Sequence, residues 1–287
     1  RPGVDVAVVG DVMVDVSVAA PALAAGGDVH GSVRLRPGGS GANAAAWAAY
    51  AGARVRLHGR VGDDLAGRLL REALAARGVE AALAVDPAAP TGTMLVVRSA
   101  GERSMVADRG ANDRLAPEDL PGRLDARAVL VSGYLVLGEG SREAALTALA
   151  RAGGALSAVD AASWPLLEAL GPGRFLGAVA GADLLLANER EAEVLAGEGP
   201  EAAAARLARG RRGAFVKLGP RGAVGWIDGA PLRQEVEPVP AADATGAGDA
   251  FDGVLLAALA LGEAPAEALR RACAAGRRVA ASGEQWP

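Results

Sequence analysis

Short apolar runs alternate with amphipathic stretches along most of this chain. Val4 to Val9 is an apolar run ending in Gly10-Asp11, which predicts a buried parallel strand and a turn. Val55 to Val61, Val129 to Ser132, Leu156 to Val159, Leu184 to Leu186 and Ala214 to Leu218 predict further strands. Helical patterns lie between them: the Ala-rich Ala42 to Ala51, Leu65 to Arg77 closed by Gly78, Arg142 to Ala152 ending at Gly153-Gly154, and Glu201 to Arg209. Ala250 to Leu261 and Ala266 to Ala281 predict two more helices. Strands alternating with helices argue for a mostly parallel sheet covered on both faces. Two segments, Val12 to Arg36 and Thr91 to Ala107, break the rhythm with strands and no helix between them. In the second, Met94 to Arg98 returns through a Gly101-Glu102 turn to Ser104 to Ala107. A small antiparallel sheet lying over the main one accounts for both. The expected fold class is α/β, one domain over 1–287, with a doubly wound, mostly parallel sheet. Segments 12–36 and 91–107 are expected to form a small β-sheet lid.

Composition narrows this picture. The 287 residues suffice for one large α/β domain. Hydrophobic residues make up 51 % but aromatics only 3 %, so the core is expected to be Ala, Val and Leu. A formal net charge of −4 leaves no basic footprint, which argues against a nucleic-acid partner. Lys217 is the only lysine, a bias we attribute to a GC-rich genome. The single cysteine, Cys273, excludes an internal disulfide and a Cys-based zinc site. His30 and His58 lack metal-ligand spacing. No apolar run reaches membrane-span length and no secretory signal is recognised, so a soluble cytoplasmic enzyme with no membrane partner is expected. The chain opens on Arg1, so the native start is expected upstream.

The richest segment is Asp243-Ala244-Thr245-Gly246-Ala247-Gly248-Asp249-Ala250. Small residues leave the backbone amides uncovered just before a helix, which makes an anion site, and Asp249 follows at once. That combination suggests phosphoryl transfer with Asp249 as base. A plain helix start, with glycine for packing and aspartate for capping, is the competing explanation. A P-loop is excluded because Lys217 follows Val216 rather than a glycine. A dinucleotide fingerprint is excluded because Phe251 takes the last glycine's place and the segment lies late in the chain. Gly39-Ser40-Gly41 does not fit a nucleophile elbow. Gly38-Gly39-Ser40-Gly41-Ala42-Asn43 opens another helix, where a polar ligand can approach the backbone and Asn43 can donate and accept. Asp15, after Gly10-Asp11, is a carboxylate suited to sugar hydroxyls if the strand continues, and a solvated turn residue otherwise.

In order and spacing these three segments resemble the ribokinase-like, or phosphofructokinase-B, carbohydrate kinases. The resemblance spans essentially the whole chain, and D-x-T-G-A-G-D carries most of it. It implies that Asp249 is the catalytic base, that Gly246, Ala247 and Gly248 form the anion hole, and that Asp15, Gly39 and Asn43 bind sugar. It further implies that Asn188 faces the phosphates of ATP and that Glu191 places Mg²⁺ through its waters. An acidic first helical turn is the alternative for that segment. Lys217 to Gly222, with Gly219 and Gly222, resembles the family's nucleotide loop, and a hairpin turn is its alternative. Asp243 and Thr245 correspond to positions that hold a monovalent cation, K⁺, in several members. The last helix is expected to flank adenine near Cys273. Two departures concern substrate choice. Val159-Asp160-Ala161-Ala162-Ser163-Trp164 lacks an arginine found in many sugar-acid kinases, and Gly133-Tyr134-Leu135 stands where ribokinases carry a glutamate. Tyr134 could stack on a sugar or a nucleobase, and Arg109 lies at a second place where substrate is chosen. The leading expectation is an ATP-dependent kinase of a small sugar. The alternatives are a nucleoside kinase for adenosine- or pseudouridine-like substrates, and a non-catalytic sugar or nucleotide sensor. A homodimer paired through the lid is also expected.

Overall fold

Val6 and Val8 project from one side of the first strand, Ala7 and Val9 from the other, and each pair enters a different core. This period-two alternation in a fully apolar strand requires a covering layer on both faces. In this computed structural model, which describes residues 3–287, β1 (Val4–Val9) is followed at once by β2 (Met13–Ala20) and β3 (Ser32–Gly38). The chain continues through α1 (Ser40–Tyr50), β4 (Val55–Gly62), α2 (Leu65–Ala76), β5 (Val79–Asp86), β6 (Gly92–Ser99) and β7 (Glu102–Asp108). Next come β8 (Ala126–Val131), α3 (Gly133–Leu137), α4 (Arg142–Arg151), β9 (Leu156–Asp160), α5 (Trp164–Leu170) and α6 (Pro172–Ala178). They are followed by β10 (Leu184–Asn188), α7 (Glu189–Ala196), α8 (Pro200–Leu207) and β11 (Gly213–Lys217). The hairpin β12 (Ala223–Ile227) and β13 (Ala230–Gln234) leads into α9 (Ala247–Ala260) and α10 (Pro265–Ser282).

Nine strands form the main sheet in the order β13-β12-β11-β10-β9-β8-β1-β4-β5. All neighbours from β11 to β5 run parallel, and β12 and β13 add an antiparallel edge. Ala45, Leu70, Leu255 and Leu269 bring α1, α2, α9 and α10 onto the Val6–Val8 face. Leu135, Ala145, Leu167, Phe175, Leu195 and Leu207 bring α3 to α8 onto the other. Strand order reverses around β1, between β4 and β8, so a crevice opens there at the carboxyl edge of the sheet.

The lid is a separate four-stranded sheet, β3-β2-β6-β7. Its outer pairs are antiparallel, whereas its central pair, β2 and β6, runs parallel because both strands leave the main sheet in the same direction. Alternation gives the lid two unlike faces. Asp15, Met94, Arg98 and Arg103 face the crevice. Leu35, Val16, Leu95 and Val106 stand in one register row on the opposite face, where Leu35 and Val106 are each 63 % exposed.

Several elements lie outside what the pattern predicted. Val79–Asp86 is rich in alanine and becomes a strand through pairing with β4 along its length. In β12, Gly225 interrupts the apolar pattern because it packs under Phe215, where a Cβ would meet the ring at 2.5 Å. The short helices α3, α5 and α6 are too brief to show a period. The helix expected from Ala250 starts at Ala247, because Gly246 at φ 83° is its N-cap. That places Gly248 and Asp249 in its first turn.

Candidate active site

A cavity of about 790 Å³ lies between the inner face of the lid and the carboxyl edge of the main sheet. It gathers Asp15, Gly39, Asn43, Arg109, Tyr134, Asn188, Glu191, Lys217, Gly219, Gly222, Asp243, Thr245 and Gly246 to Asp249, so every site residue expected from the sequence borders it.

The floor is built where α1 meets α9. A Cβ on Gly253 would lie 2.1 Å from the Ala44 carbonyl oxygen, so the helices touch backbone to side. The start of α1 is set by Gly39 at φ 89°, where a Cβ would also lie 2.7 Å from the Asp11 carbonyl oxygen. The first turn of α1 therefore faces the first turn of α9. Ser40 Oγ donates to Asp249 Oδ1 at 2.7 Å, and Asn43 Nδ2 donates to Oδ2 at 2.8 Å. Burial pushes the Asp249 carboxyl up to about 6, against the pull of these two hydrogen bonds. Such a group is ionised near neutrality and still basic enough to take a proton.

Above Asp249, the N–H of Ala247 is used by the Ala244 carbonyl at 3.1 Å. The N–H groups of Gly248 and Asp249 meet no protein acceptor among the described residues. Of the three residues expected to form the anion hole, Ala247 has its N–H taken up within the protein; among the described residues Gly246 and Gly248 keep theirs free, and Asp249 adds a third. They are the orphan donors of a helix start and favour an anion.

Lys217 comes in from the end of β11. Its Nζ lies 2.7 Å from Asp160 Oδ2 and 3.0 Å from Asp252 Oδ1, and a Cβ on Gly248 would sit 3.4 Å from it. Burial disfavours the ammonium charge, but the two carboxylates more than offset that and keep Lys217 protonated. Burial lifts the Asp252 carboxyl well above the usual carboxylate range despite Lys217, with Asp160 adding to the rise. The N-terminus of α9 thus has a cation directly beneath it.

Asn188 and Glu191 form a capping box at the start of α7. Asn188 Oδ1 accepts from Glu191 N at 2.9 Å, and Glu191 Oε2 accepts from Asn188 N at 2.8 Å. The helix-start explanation and a cavity-facing acid therefore coincide. Burial, with Asp160 nearby, raises Glu191 to about 7. Its oxygens retain lone pairs beyond the capping bonds, so they can accept from the water shell of a hydrated Mg²⁺. The Lys217–Gly222 loop is a hairpin turn, as its alternative expectation had it, and it lies beside the cavity. It turns β11 into β12, with Leu218 N donating to Gly222 O at 2.8 Å.

The Asp243–Thr245 pair is held differently from a cation cage. Arg98 of β6 places Nη2 2.6 Å from Asp243 Oδ2, and Arg103 of β7 donates to Thr245 Oγ1 at 3.1 Å. A monovalent cation on Asp243 would share that carboxylate with the Arg98 guanidinium. Arg109 pairs with Asp11 and Asp113 at 2.9 and 2.5 Å and lies 5.7 Å over the Tyr134 ring. Burial pushes the Tyr134 phenol up, and Asp249 adds to this. Asp15 is buried on β2 and accepts from Gln285 Nε2 at 3.0 Å. Burial pushes the Cys273 thiol up to about 12, leaving it unreactive beside the cavity.

Ser40, Asp252, Gln285 and the lid arginines were not foreseen. Asp252 was within reach, because it follows Asp249 at i+3 and so shares its helix face. Gln285 gives no local signal.

A model of the "pfkB family carbohydrate kinase" family matches residues 4–284. The chain belongs to the pfkB carbohydrate kinases. It is an ATP-dependent carbohydrate kinase by that membership. The 2-dehydro-3-deoxygluconokinase of Thermoproteus tenax is 34 % identical over 254 residues, covering 84 % of this chain and 78 % of the relative. A probable sugar kinase from Rhizobium etli superposes with a TM-score of 0.89 at 25 % identity, over 100 % of this chain and 96 % of that one. Arabidopsis thaliana ribokinase, solved with ribose and ATP, superposes with a TM-score of 0.76 at 25 % identity, over 100 % and 96 %. The two solved structures share the fold of this chain over its whole length.

Proposed function

We propose that this pfkB kinase transfers the γ-phosphate of ATP to a hydroxyl of a small sugar or sugar derivative, with Asp249 as the base. One observation carries the reading: a carboxylate held by Ser40 and Asn43 at the helix start, beside free backbone amides and above Lys217. The sugar sits between Asp15, Asn43 and Asp249. Its hydroxyl loses a proton to Asp249 while the oxygen attacks the γ-phosphorus in line, and ADP leaves. The amides of Gly248 and Asp249 and the nearby ammonium of Lys217 stabilise the charge on the transferring phosphoryl group. The nucleotide lies along Asn188, the Lys217–Gly222 loop and α10 near Cys273. Mg²⁺, held through waters by Glu191, would neutralise phosphate charge. Arg109 and Tyr134, at the sugar end, take part in choosing the acceptor. The ribose and ATP of the Arabidopsis ribokinase, and the name of the Thermoproteus relative, support a sugar acceptor. Two copies pair through the apolar outer face of the lid.

An ADP-release screen tests this over D-ribose, D-fructose, 2-dehydro-3-deoxygluconate and adenosine. A sugar-dependent rise in ADP is expected. A response to adenosine alone would make the enzyme a nucleoside kinase, and no response to any acceptor would favour a sensor.

A further inference from the structure

The segment after α10 folds back into the sugar end of the cavity. Trp47 Nε1 donates to the Gln285 carbonyl at 2.8 Å, and Trp286 Nε1 donates to Asn43 Oδ1 at 2.8 Å. Arg36 of the lid donates to the Gly283 carbonyl at 3.3 Å and pairs with Glu284 at 3.1 Å. The backbone around residue 285 is therefore fixed by groups other than the Gln285 side chain.

That side chain borders the cavity. Its Nε2 donates to Asp15 Oδ2 at 3.0 Å, and its Oε1 accepts from Asn43 Nδ2 at 3.3 Å. Its stem packs on Gly246, where an added Cβ would lie 3.3 Å from Gln285 Cβ and Cγ. The amide thus stands between the lid carboxylate and the start of α9.

A donor count on this wall is informative. An ionised Asp15 only accepts. The amide of Asn43 has two N–H donors, and Asp249 and Gln285 use them. Ser40 donates its hydroxyl proton to Asp249, and the indole N–H of Trp286 goes to Asn43. Gln285 has two N–H donors and two acceptor lone pairs, and its protein contacts use one of each. Among these residues, the N–H left for a ligand belongs to Gln285. Sugars present acceptor oxygens as well as hydroxyl protons, and a carboxylate meets only the protons.

Resting on the kinase reading above, we propose that Gln285 is a substrate-binding residue that sets specificity. Its second N–H donates to a sugar oxygen next to the hydroxyl taken by Asp15. The acceptor favoured is one with a hydroxyl and an oxygen acceptor on adjacent carbons, as in a vicinal diol or an α-hydroxy carbonyl.

The test uses the full chain and whichever acceptor from the panel gives the fastest ADP release. Gln285→Ala is expected to raise KM for that acceptor about tenfold, the loss of one hydrogen bond, with KM for ATP and the thermal midpoint unchanged. Gln285→Glu keeps the shape, loses the donor and sets a second carboxylate on Asp15, so a larger rise is expected, easing as pH falls. An unchanged acceptor KM in Gln285→Ala would overturn the proposal. So would a lower KM, which would make the amide a place-holder expelled by sugar. Equal rises in both KM values with a lower midpoint would make Gln285 structural and also overturn it. If the unmodified enzyme releases no ADP with any acceptor, the kinase reading fails and takes this one with it. An active enzyme with an indifferent Gln285 defeats this one alone.

Discussion

Lys217 carries the only ammonium side chain of the molecule, wedged between Asp160 and Asp252 with 13 % of its surface exposed. Removing it leaves two carboxylates facing each other in a poorly solvated place. Lys217→Met is expected to destabilise the fold by about 3 kcal/mol at pH 8, in the range for a broken buried ion pair. The deficit should shrink towards pH 5. The Asp252 carboxyl binds its proton more tightly in the folded protein than in the unfolded chain, so the stability it contributes falls as pH rises through its folded value. Urea unfolding at the two pH values checks this, and a pH-independent deficit would count against the charge argument. At this scale the motifs were legible: Asp249, Asn43, Asp15 and Glu191 all border one cavity. Their partners were not. Ser40 meets Asp249 across 209 positions and Lys217 meets Asp160 across 57, and no local pattern encodes such separations.

The crossing of α1 and α9 is the element on which the site depends. Gly253 presses against the Ala44 carbonyl, a backbone group that cannot rotate away. Gly253→Ala is expected to cost about 2 kcal/mol, as overpacking does, and to draw Ser40 and Asn43 away from Asp249. A lower urea midpoint together with a lower kcat in the protein that remains folded would support this. Wild-type values for both would show that the crossing yields freely. The pattern of the chain foretold both helices but misplaced the start of α9, because Gly246 adds a left-handed N-cap that hydrophobic periodicity does not sense. It missed β5 and β12 for a related reason. Both are strands by virtue of their neighbours, one through pairing with β4 and one through a glycine fitted under Phe215.

On the scale of the molecule, the doubly wound sheet follows from the strand–helix rhythm, and the lid from the two places where it lapses. Strand order and the parallel β2–β6 pair were not legible, since they depend on where distant strands insert. The lid has a mixed inner face over the cavity, with Asp15, Arg98 and Arg103 among Met94, Val96 and Met105, and an outer row of Leu35, Val16, Leu95 and Val106. That outer face, with unpaired edges at β3 and β7, is expected to bury itself against a second copy. Sedimentation should show a dimer that Leu35→Asp with Val106→Asp converts to monomer. A wild-type monomer at micromolar concentration would remove the idea.

The central claim is that Asp249 takes the proton from the attacking hydroxyl. Asp249→Asn preserves the shape and an acceptor for Ser40 while losing the base. With the best acceptor from the screen, sugar-dependent ADP release should fall by about 10²–10⁴-fold, while calorimetry finds ATP affinity little changed. A variant that keeps more than about a tenth of the rate, well above that range, would contradict the assignment.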